Sequence, residues 1–263
     1  MNNRYLGAVI LSPLLIFLFV GGTTLKYLIL TLSLIGMSEF YKVVRVKNIN
    51  PLNYLGYAMC IAYYLVFNLN VNTLFNLIII SVMILLIIPI FKRNYNFIDI
   101  STTLLGFLYI GVFFSFITIV NNKANGNYLV WLIFLSSWVC DTAAYYAGKF
   151  FGKNKLCPII SPKKTVEGAI GGLLGSSLAC GLFGVYLKGQ GVPIPIIHFF
   201  LIGGISGVLV QFGDLVASSI KRYLGVKDYS NLIPGHGGIL DRFDSILFAS
   251  VVIYYYLTII IGI

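Results

Sequence analysis

The chain has 263 residues, of which 59% are hydrophobic and only 10% are charged, and its mean hydropathy is +0.93. Soluble domains carry about 25% charged residues, so this composition excludes an ordinary soluble domain and indicates a polytopic membrane protein. The formal net charge is +10, from 18 basic and 8 acidic residues. The positions of these residues along the chain bear on both the membrane topology and the functional site.

Long apolar runs divide the chain into candidate membrane spans of roughly 20 residues each. The first run, residues 5–20, lacks a small-residue cleavage site and is followed by further runs. We therefore expect it to be a span rather than a cleaved signal peptide. Glycines at 21 and 22 leave the separation of the first two spans open. About nine transmembrane helices are predicted, at approximately 5–21, 24–40, 53–69, 73–91, 99–120, 128–147, 167–187, 197–217 and 245–262.

The basic residues test this count, because cytoplasmic loops carry an excess of lysine and arginine. With a cytoplasmic N-terminus, 15 of the 18 basic residues fall inside, and only Lys26, Lys123 and Lys188 fall outside. The eight acids also fall in cytoplasmic loops or at cytoplasmic helix ends. The predicted fold is therefore an all-α polytopic integral membrane protein of the cell (inner, cytoplasmic) membrane. Its N-terminus would be cytoplasmic and its charge concentrated on the cytoplasmic face.

Two regions of different character are predicted. Residues 1–127 read as apolar helices with short loops and no polar cluster, so we expect them to support packing. Residues 128–263 carry two longer cytoplasmic loops, 148–166 and 218–244, which are rich in charge and glycine. Glycines spaced i,i+4 in this region (168/172, 171/175 and 203/207) indicate close helix contact, either within the protein or between protomers.

Asp141 lies inside an apolar span, where an aspartate costs about 2.5–3.5 kcal/mol on insertion scales. We therefore expect it to face the bundle interior and to have a partner. On a helix it would share a face with Tyr145 and Gly148. The alternative is an aspartate that snorkels to the nearby cytoplasmic surface.

The loop before span seven contains Ser161, Lys163, Lys164, Thr165 and Glu167. A proline near the predicted helix start, paired lysines and a hydroxyl ahead of a glycine-rich helix favour an anion-binding helix N-terminus. The GxxxxGK[ST] pattern of a Walker A loop is absent. The alternative is that these lysines, at a membrane face, serve topology alone.

The most polar stretch is residues 211–244, which holds four of the acids and one of the two histidines. If span eight continues as a helix, four polar residues lie along one of its faces: Asp214, Ser218, Lys221 and Arg222. A glycine-rich loop follows. Span nine then opens with two acids that are i,i+3 neighbours, Asp241 and Asp244.

Three carboxylates thus converge at the cytoplasmic boundary: those of Asp214, Asp241 and Asp244. Like charges this close raise one another's pKa unless a cation neutralises them, and Mg²⁺ is a usual solution beside substrate phosphates. The sequence contains no Cys/His cluster that would indicate a zinc site. The interleaved bases are placed to hold phosphate oxygens: Lys221, Arg222, Lys227 and Arg242. This set indicates phosphoryl or nucleotidyl transfer to a lipid; the alternative is a salt-bridged loop between two spans.

The run from Ser218 to Asp244 resembles the signature of phosphatidate cytidylyltransferases (CDP-diacylglycerol synthases) without a gap. The matching positions include Ile220–Lys–Arg222, Lys227–Asp228, Ser230, Ile233–Pro234, His236–Gly–Gly–Ile239 and Asp241–Arg–Phe–Asp244. The stretches Asp141–Gly148 and Ser161–Gly168 also resemble parts of that family. The resemblance implies that CTP and phosphatidic acid give CDP-diacylglycerol and pyrophosphate in phospholipid biosynthesis. It also implies Mg²⁺, and a second cation such as K⁺.

On this resemblance, Asp214, Asp241 and Asp244 would hold the metal centre and, with Lys221, form the catalytic set. We expect the triphosphate at Lys163, Lys164 and Lys221, and the lipid phosphate at Arg222 or Arg242. His236 is expected to be a phosphate or loop ligand rather than a general base, and Asp228 a loop residue. The substrate-binding candidates are Asp141, Ser161, Lys163, Lys164, Thr165, Glu167, Ser218, Arg222, Lys227, Asp228, His236 and Arg242.

The resemblance also implies a homodimer, which the N-terminal helices would support. The partners expected are CTP, phosphatidic acid and the lipid bilayer, with no nucleic acid.

Two other functions share some of these features. A CTP-dependent kinase of a polyprenol or other lipid alcohol would share CTP and the membrane, but the uninterrupted signature speaks against it. An ion-coupled transporter could use Asp141 and Asp214 as cation ligands. Transporters place such sites near the bilayer midplane of repeated halves, whereas these acids cluster at one face and no repeat is visible.

Overall fold

The structure is a computed structural model that describes residues 16–66 and 71–263, with the backbone alone at 71 and 72. Residues 16–20 are helical, and eight further helices follow. Their bounds are α1 Gly22–Val44, α2 Asn53–Val66, α3 Val71–Phe91, α4 Phe97–Asn121, α5 Gly126–Phe151, α6 Val166–Gly189, α7 Ile196–Leu224 and α8 Leu240–Tyr255. The segment Gly106–Val112 of α4 is π-helical, and α8 continues as the π-helical segment Tyr256–Ile261.

Seven of the described helices, α1 and α3 to α8, are long and apolar enough to cross a membrane. They correspond to seven of the predicted spans and fit an all-α polytopic membrane protein. Of the other two predictions, 5–21 lies mostly outside the described residues, and 53–69 corresponds to α2, with its last residues 67–69 outside the described part of the chain. Gly21 separates residues 16–20 from α1 at a φ of +64°, and the Gly22 N–H donates to Asn121 Oδ1 at 3.0 Å.

Aromatic and aliphatic side chains hold α1, α2 and α4 together. Tyr41 is fully buried, and its hydroxyl donates to the Thr103 carbonyl at 2.7 Å. The Tyr41 ring lies against Gly56 and Gly106, where an added Cβ would collide with it. Helix α3 differs, because its large apolar side chains are exposed almost all round, which is typical of a helix that faces lipid or another helix. They include Phe75, Ile79, Ile80, Met83, Ile84, Leu86, Ile87 and Ile90.

Helices α5, α6 and α7 instead approach one another through glycine. Gly171 and Gly175 of α6 lie against the methyl groups of Ala147 and Ala143 of α5. Gly203 of α7 leaves no room for a Cβ beside the Ser176 carbonyl of α6. The spaced glycines therefore serve close helix contact within the chain, which was one of the two predicted uses.

Helix α8 joins the two groups of helices. Phe243 packs on Phe114 of α4 with ring centroids 5.3 Å apart. On its other side, α8 meets α7 at Gly213, where an added Cβ would lie 2.8 Å from the Asp244 carbonyl oxygen. This contact places the first turns of α8 beside Asp214, the next residue of α7.

The predicted loop 148–166 contains an antiparallel hairpin, β1 Lys155–Cys157 and β2 Ser161–Thr165. The proline at 162 therefore lies in β2, shortly before the start of the next helix. Helix α6 begins at Val166, and Thr165 caps it by accepting the Gly168 N–H at 3.1 Å. In the second predicted loop, α7 continues to Leu224 and α8 begins at Leu240, so residues 225–239 form the connecting loop.

Candidate active site

A polar cavity of about 530 Å³ lies where the hairpin meets α5, α6, α7 and α8. Tyr145 and Gly148 line it beside Asp141, as their shared helix face predicts. Gln211 also lines it, and its Nε2 donates to the carbonyls of Ala169 and Gly207. Most of the predicted site residues line it as well: Asp141, Lys163, Lys164, Thr165, Asp214, Lys221, Asp228, Asp241, Arg242 and Asp244.

One ion pair connects the hairpin to α7. Lys164 Nζ lies 2.5 Å from Asp214 Oδ2, and both side chains remain partly exposed to the cavity. The same ammonium group lies 3.4 Å from the Gln211 carbonyl oxygen. Two residues that are far apart in the sequence therefore form one charged wall.

A second ion pair connects α7 to α8. Lys221 Nζ lies 2.7 Å from Asp241 Oδ1, and only 3% of the Asp241 side chain is exposed. The other oxygen, Oδ2, accepts the backbone N–H groups of Tyr229 at 2.8 Å and Gly238 at 2.9 Å. Asp241 thus binds a lysine and both ends of loop 225–239.

Tyr229 connects this loop to α7. It is buried, and its hydroxyl donates to the Ala217 carbonyl at 3.3 Å. Burial raises the pKa of Tyr229, so the phenol keeps its proton and remains a donor. Lys221 Nζ lies 5.2 Å from the centre of its ring, a cation–π distance.

The carboxylates of Asp141, Asp214 and Asp244 are close enough to repel one another. Asp244 is buried, and its Oδ1 accepts the Ser245 N–H at 2.7 Å. Lys164 and Arg242 attract Asp141, which lies on the cavity wall. The electrostatic cluster therefore consists of Asp141, Asp214 and Asp244, whereas Asp241 faces Lys221.

Within residues 16–66 and 71–263, no three or more His, Cys, Asp and Glu side chains are arranged to hold a metal ion as they stand. The chemistry of the donor set nevertheless suits a hard cation, since carboxylates of α5, α7 and α8 line one cavity together with bases that suit phosphates. Asp241 already meets three donors, so Asp214 and Asp244 are the more available members of the predicted trio. The assignment of the metal to these acids stays a prediction.

Several predicted site residues do not line the polar cavity: Ser161, Glu167, Ser218, Arg222, Lys227 and His236. Two of them fasten the hairpin instead. Glu167 accepts the Lys153 N–H at 3.1 Å and the Asn154 side-chain amide at 2.8 Å. Arg222 Nε donates to the Ile160 carbonyl at 3.3 Å, which ties the hairpin turn to α7.

His236 contributes its backbone rather than its ring to the neighbourhood of the cavity. Its carbonyl oxygen accepts Arg242 Nε at 2.6 Å, while its own Nδ1 lies 3.4 Å from the Pro234 carbonyl oxygen. This arrangement orients Arg242. Asp228 lies in loop 225–239, as expected, and it also lies on the cavity wall.

An apolar cavity of about 240 Å³ adjoins the polar one. The two cavities share Asp141, Asp241, Arg242 and Asp244. The sequence did not reveal this feature, because leucines that line a cavity look like any others in a span. Its apolar wall consists of Leu18, Leu25, Leu28, Ile29, Leu32, Phe134, Trp138, Phe243 and Ile246.

Glu39 of α1 is a buried acid whose environment sequence reasoning missed. Its Oε1 accepts the Ser230 hydroxyl at 2.6 Å and the Ile239 N–H at 3.0 Å, and its Oε2 accepts the Leu240 N–H at 2.9 Å. The first region of the chain therefore contributes a polar contact to loop 225–239. The available signal was an acid within an apolar run.

The fold and the site define a membrane protein in which a charged cavity meets an apolar one. A model of the cytidylyltransferase family matches residues 2–260, so the chain belongs to this family. It is 35% identical over 268 aligned positions to "Phosphatidate cytidylyltransferase" of Staphylococcus haemolyticus (strain JCSC1435), with 94% of this chain and 95% of that protein covered. The family resemblance read from residues 141–244 is confirmed.

Two further relatives carry the same name. The protein of Bacillus subtilis (strain 168) is 33% identical over 265 positions, covering 98% of this chain and 97% of the relative. The protein of Staphylococcus aureus (strain COL) is 38% identical over 183 positions, covering 66% of this chain and 65% of the relative. The match to the first two relatives thus extends into the N-terminal region, beyond the residues that carried the resemblance.

Proposed function

We propose that this protein is a phosphatidate cytidylyltransferase, which transfers CMP from CTP to phosphatidic acid and releases pyrophosphate. The observation that carries the proposal is that a cavity lined by acids and bases adjoins an apolar cavity, with Arg242 lining both. Such a pair suits a substrate with a phosphate head and acyl chains. The near-full-length similarity to relatives that bear this name supports it.

The basic side chains would hold and neutralise the triphosphate of CTP. Lys163, Lys164 and Lys221 all line the polar cavity. Lys164 and Lys221 are each paired with an aspartate, which holds their ammonium groups at fixed positions. Fixed charges that point at the phosphates lower the barrier through positioning and electrostatic stabilisation.

Arg242 is the better candidate for the phosphate of the lipid. It lines both cavities, whereas Arg222 lies outside the polar cavity and donates to Ile160. An oxygen of the lipid phosphate would attack the α-phosphorus of CTP as the bond from that phosphorus to the bridging oxygen of pyrophosphate breaks. A phosphate monoester with a second pKa of about 6 is already largely a dianion at neutral pH, so no general base is required of His236.

Magnesium would lower the charge repulsion between the two anionic substrates and the leaving pyrophosphate. From the donor set, Asp214 and Asp244 would hold it, while Asp241 of the predicted trio would hold Lys221 and loop 225–239. A second cation such as K⁺ would find its carboxylate at Asp141. The role of this chain in the reaction is to keep these acids and bases in place around the phosphates.

The topology proposed with this function has nine spans, a cytoplasmic N-terminus and an active site on the cytoplasmic side. The distribution of the 18 basic residues supports this topology. The seven apolar helices described fit a polytopic membrane protein. We also propose a homodimer in which residues 1–127 support packing and residues 128–263 carry the catalytic groups. The largely exposed apolar surface of α3 is compatible with such support.

The test is an assay of purified full-length protein in detergent micelles with phosphatidic acid, CTP labelled at the α-phosphorus, and Mg²⁺. Formation of labelled CDP-diacylglycerol with an equal amount of pyrophosphate supports the proposal. A lipid-alcohol kinase would instead release CDP and phosphorylate an added alcohol, and a transporter would form no product from CTP. Either of those results would overturn it. No observation on this chain favours the two alternatives.

A further inference from the structure

We propose that Glu39 is a positioning residue for the active site, which acts by holding loop 225–239 and the first turn of α8 in place. The inference deepens the proposed function and depends on it for one of its two measurements. Glu39 does not itself line the polar cavity. It lies on α1, about 200 positions before the backbone groups that it binds.

The contacts of Glu39 join the two ends of the loop. Only 5% of this residue is exposed, and its carboxylate accepts three hydrogen bonds. One comes from Ser230, near the start of the loop, and two come from Ile239 and Leu240, at its end. The N–H groups of the first helical turn have no partner within their own helix, so an acid supplied from elsewhere stabilises the start of α8.

Asp241 binds the same two ends from the other side. It accepts the N–H groups of Tyr229 and Gly238, each one residue away from a Glu39 partner. The two carboxylates therefore clamp the ends of the loop together, and Asp241 in turn holds Lys221. A displacement of the clamp at Glu39 would be transmitted through one peptide bond to Asp241.

The fit of Glu39 is close enough to require glycine at position 238. A Cβ on Gly238 would lie 2.5 Å from Glu39 Oε2 and clash with the carboxylate. Gly238→Ala should therefore open the clamp from the loop side, while Glu39→Ala opens it from the helix side. Ser230→Ala removes one of the three bonds and should have a smaller effect.

Asp99 provides the matched control for a purely structural role. It is also buried, at 1% exposure, and also belongs to the first region of the chain. Its carboxylate accepts the N–H groups of Asn50 at 2.6 Å and Asn96 at 2.9 Å, so it too stabilises a helix start. It has no bond to loop 225–239. Loss of Asp99 should therefore cost stability without disturbing the loop.

The experiment compares Glu39→Ala, Glu39→Gln and Gly238→Ala with Asp99→Ala in purified full-length protein. One measurement is kcat and KM for both substrates, beside thermal unfolding. The other is backbone hydrogen exchange in peptides that cover 225–240, which needs no activity. Because a 1 Å misplacement can cost about 10²-fold in rate, we expect kcat to fall by roughly tenfold or more in Glu39→Ala and Gly238→Ala. Glu39→Gln, which keeps one acceptor oxygen, should fall between these and the wild type.

Asp99→Ala should keep kcat within about twofold while it lowers the unfolding temperature. Amides of Ile239 and Leu240 should exchange on the order of tenfold faster in the Glu39 and Gly238 variants alone. Equal kcat losses in Glu39→Ala and Asp99→Ala, or unchanged loop exchange, would overturn the inference. If the wild type makes no CDP-diacylglycerol, the proposed function fails, and the exchange data still decide the clamp. If Glu39→Ala does not fold, Gly238→Ala and Ser230→Ala decide it.

Discussion

The helices before and after residue 126 are built in different ways. In the first group, large side chains fill the space between helices, as Tyr41 does between α2 and α4. In the second group, α5, α6 and α7 meet through glycine and alanine, and their backbones come close. Close backbones leave little freedom for the helix ends, where the carboxylates and lysines of the polar cavity lie.

The two groups of helices also make different contributions to the candidate active site. All the charged residues that line the polar cavity follow residue 126, on α5, α7, α8 and the hairpin and loop between these helices. The first group of helices supplies part of the apolar wall and the buried acid Glu39, which binds loop 225–239. The first region is therefore more than a membrane anchor. Helix α1 lines part of the apolar cavity, and through Glu39 it binds loop 225–239.

The largest effect is expected where an acid of the second region is removed. Asp214→Asn should lower kcat by on the order of 10²-fold or more, because it removes the charge that pairs with Lys164 and would hold the cation. The measurement is steady-state formation of CDP-diacylglycerol. The matched acid of the first region, changed as Asp99→Asn, should retain most of the activity. Wild-type turnover in Asp214→Asn would show that the metal assignment is wrong.

A smaller effect is expected from one lysine of the hairpin. Lys163→Ala should raise the KM for CTP roughly tenfold, since a hydrogen bond to a charged group is worth about 1.5–3 kcal/mol, and should change kcat little. Lys155→Ala on the partner strand is the control, because Lys155 does not line the cavity. An unchanged KM for CTP in Lys163→Ala would remove this residue from the nucleotide site.

The packing contrast can be tested by adding one methyl group. Gly203→Ala should destabilise the protein by about 1–3 kcal/mol, because the new Cβ meets the backbone carbonyl of Ser176. Gly204→Ala, with its nearest neighbour at 3.8 Å, should be close to neutral. Gly36→Ala in the first region meets side chains rather than backbone, with Ile110 the nearest at 3.1 Å, and should fall between them. Thermal unfolding in detergent measures all three; equal losses would contradict the contrast.

Removing the base at the junction of the two cavities should affect lipid binding. Arg242→Ala should raise the KM for phosphatidic acid in the steady-state assay of CDP-diacylglycerol formation.

The smallest effect is expected at His236. Its backbone carbonyl accepts a hydrogen bond from Arg242, and its ring does not line the cavity, so His236→Ala should keep kcat within about threefold. A loss of tenfold or more in His236→Ala would show that the imidazole takes part in the reaction.

Much of the site could be predicted from sequence because its signals are local. Helical spacing placed Asp141 beside Tyr145 and Gly148, and placed Asp241 near Asp244. All five of these residues line the polar cavity. Apolar runs likewise predicted the seven long helices described, because span length follows from bilayer thickness.

The sequence by itself thus determined the class of fold, the region that carries the charged groups, and the family. Only the tertiary structure decided how those groups are paired. Lys221 and Asp241 are 20 positions apart, Lys164 and Asp214 belong to a strand and a distant helix, and Glu39 meets Ile239 across 200 positions. Periodicity reports which residues share a face of one helix, whereas ion pairs and clamps depend on how several helices pack. The glycines that set those distances act only once their neighbours are in place.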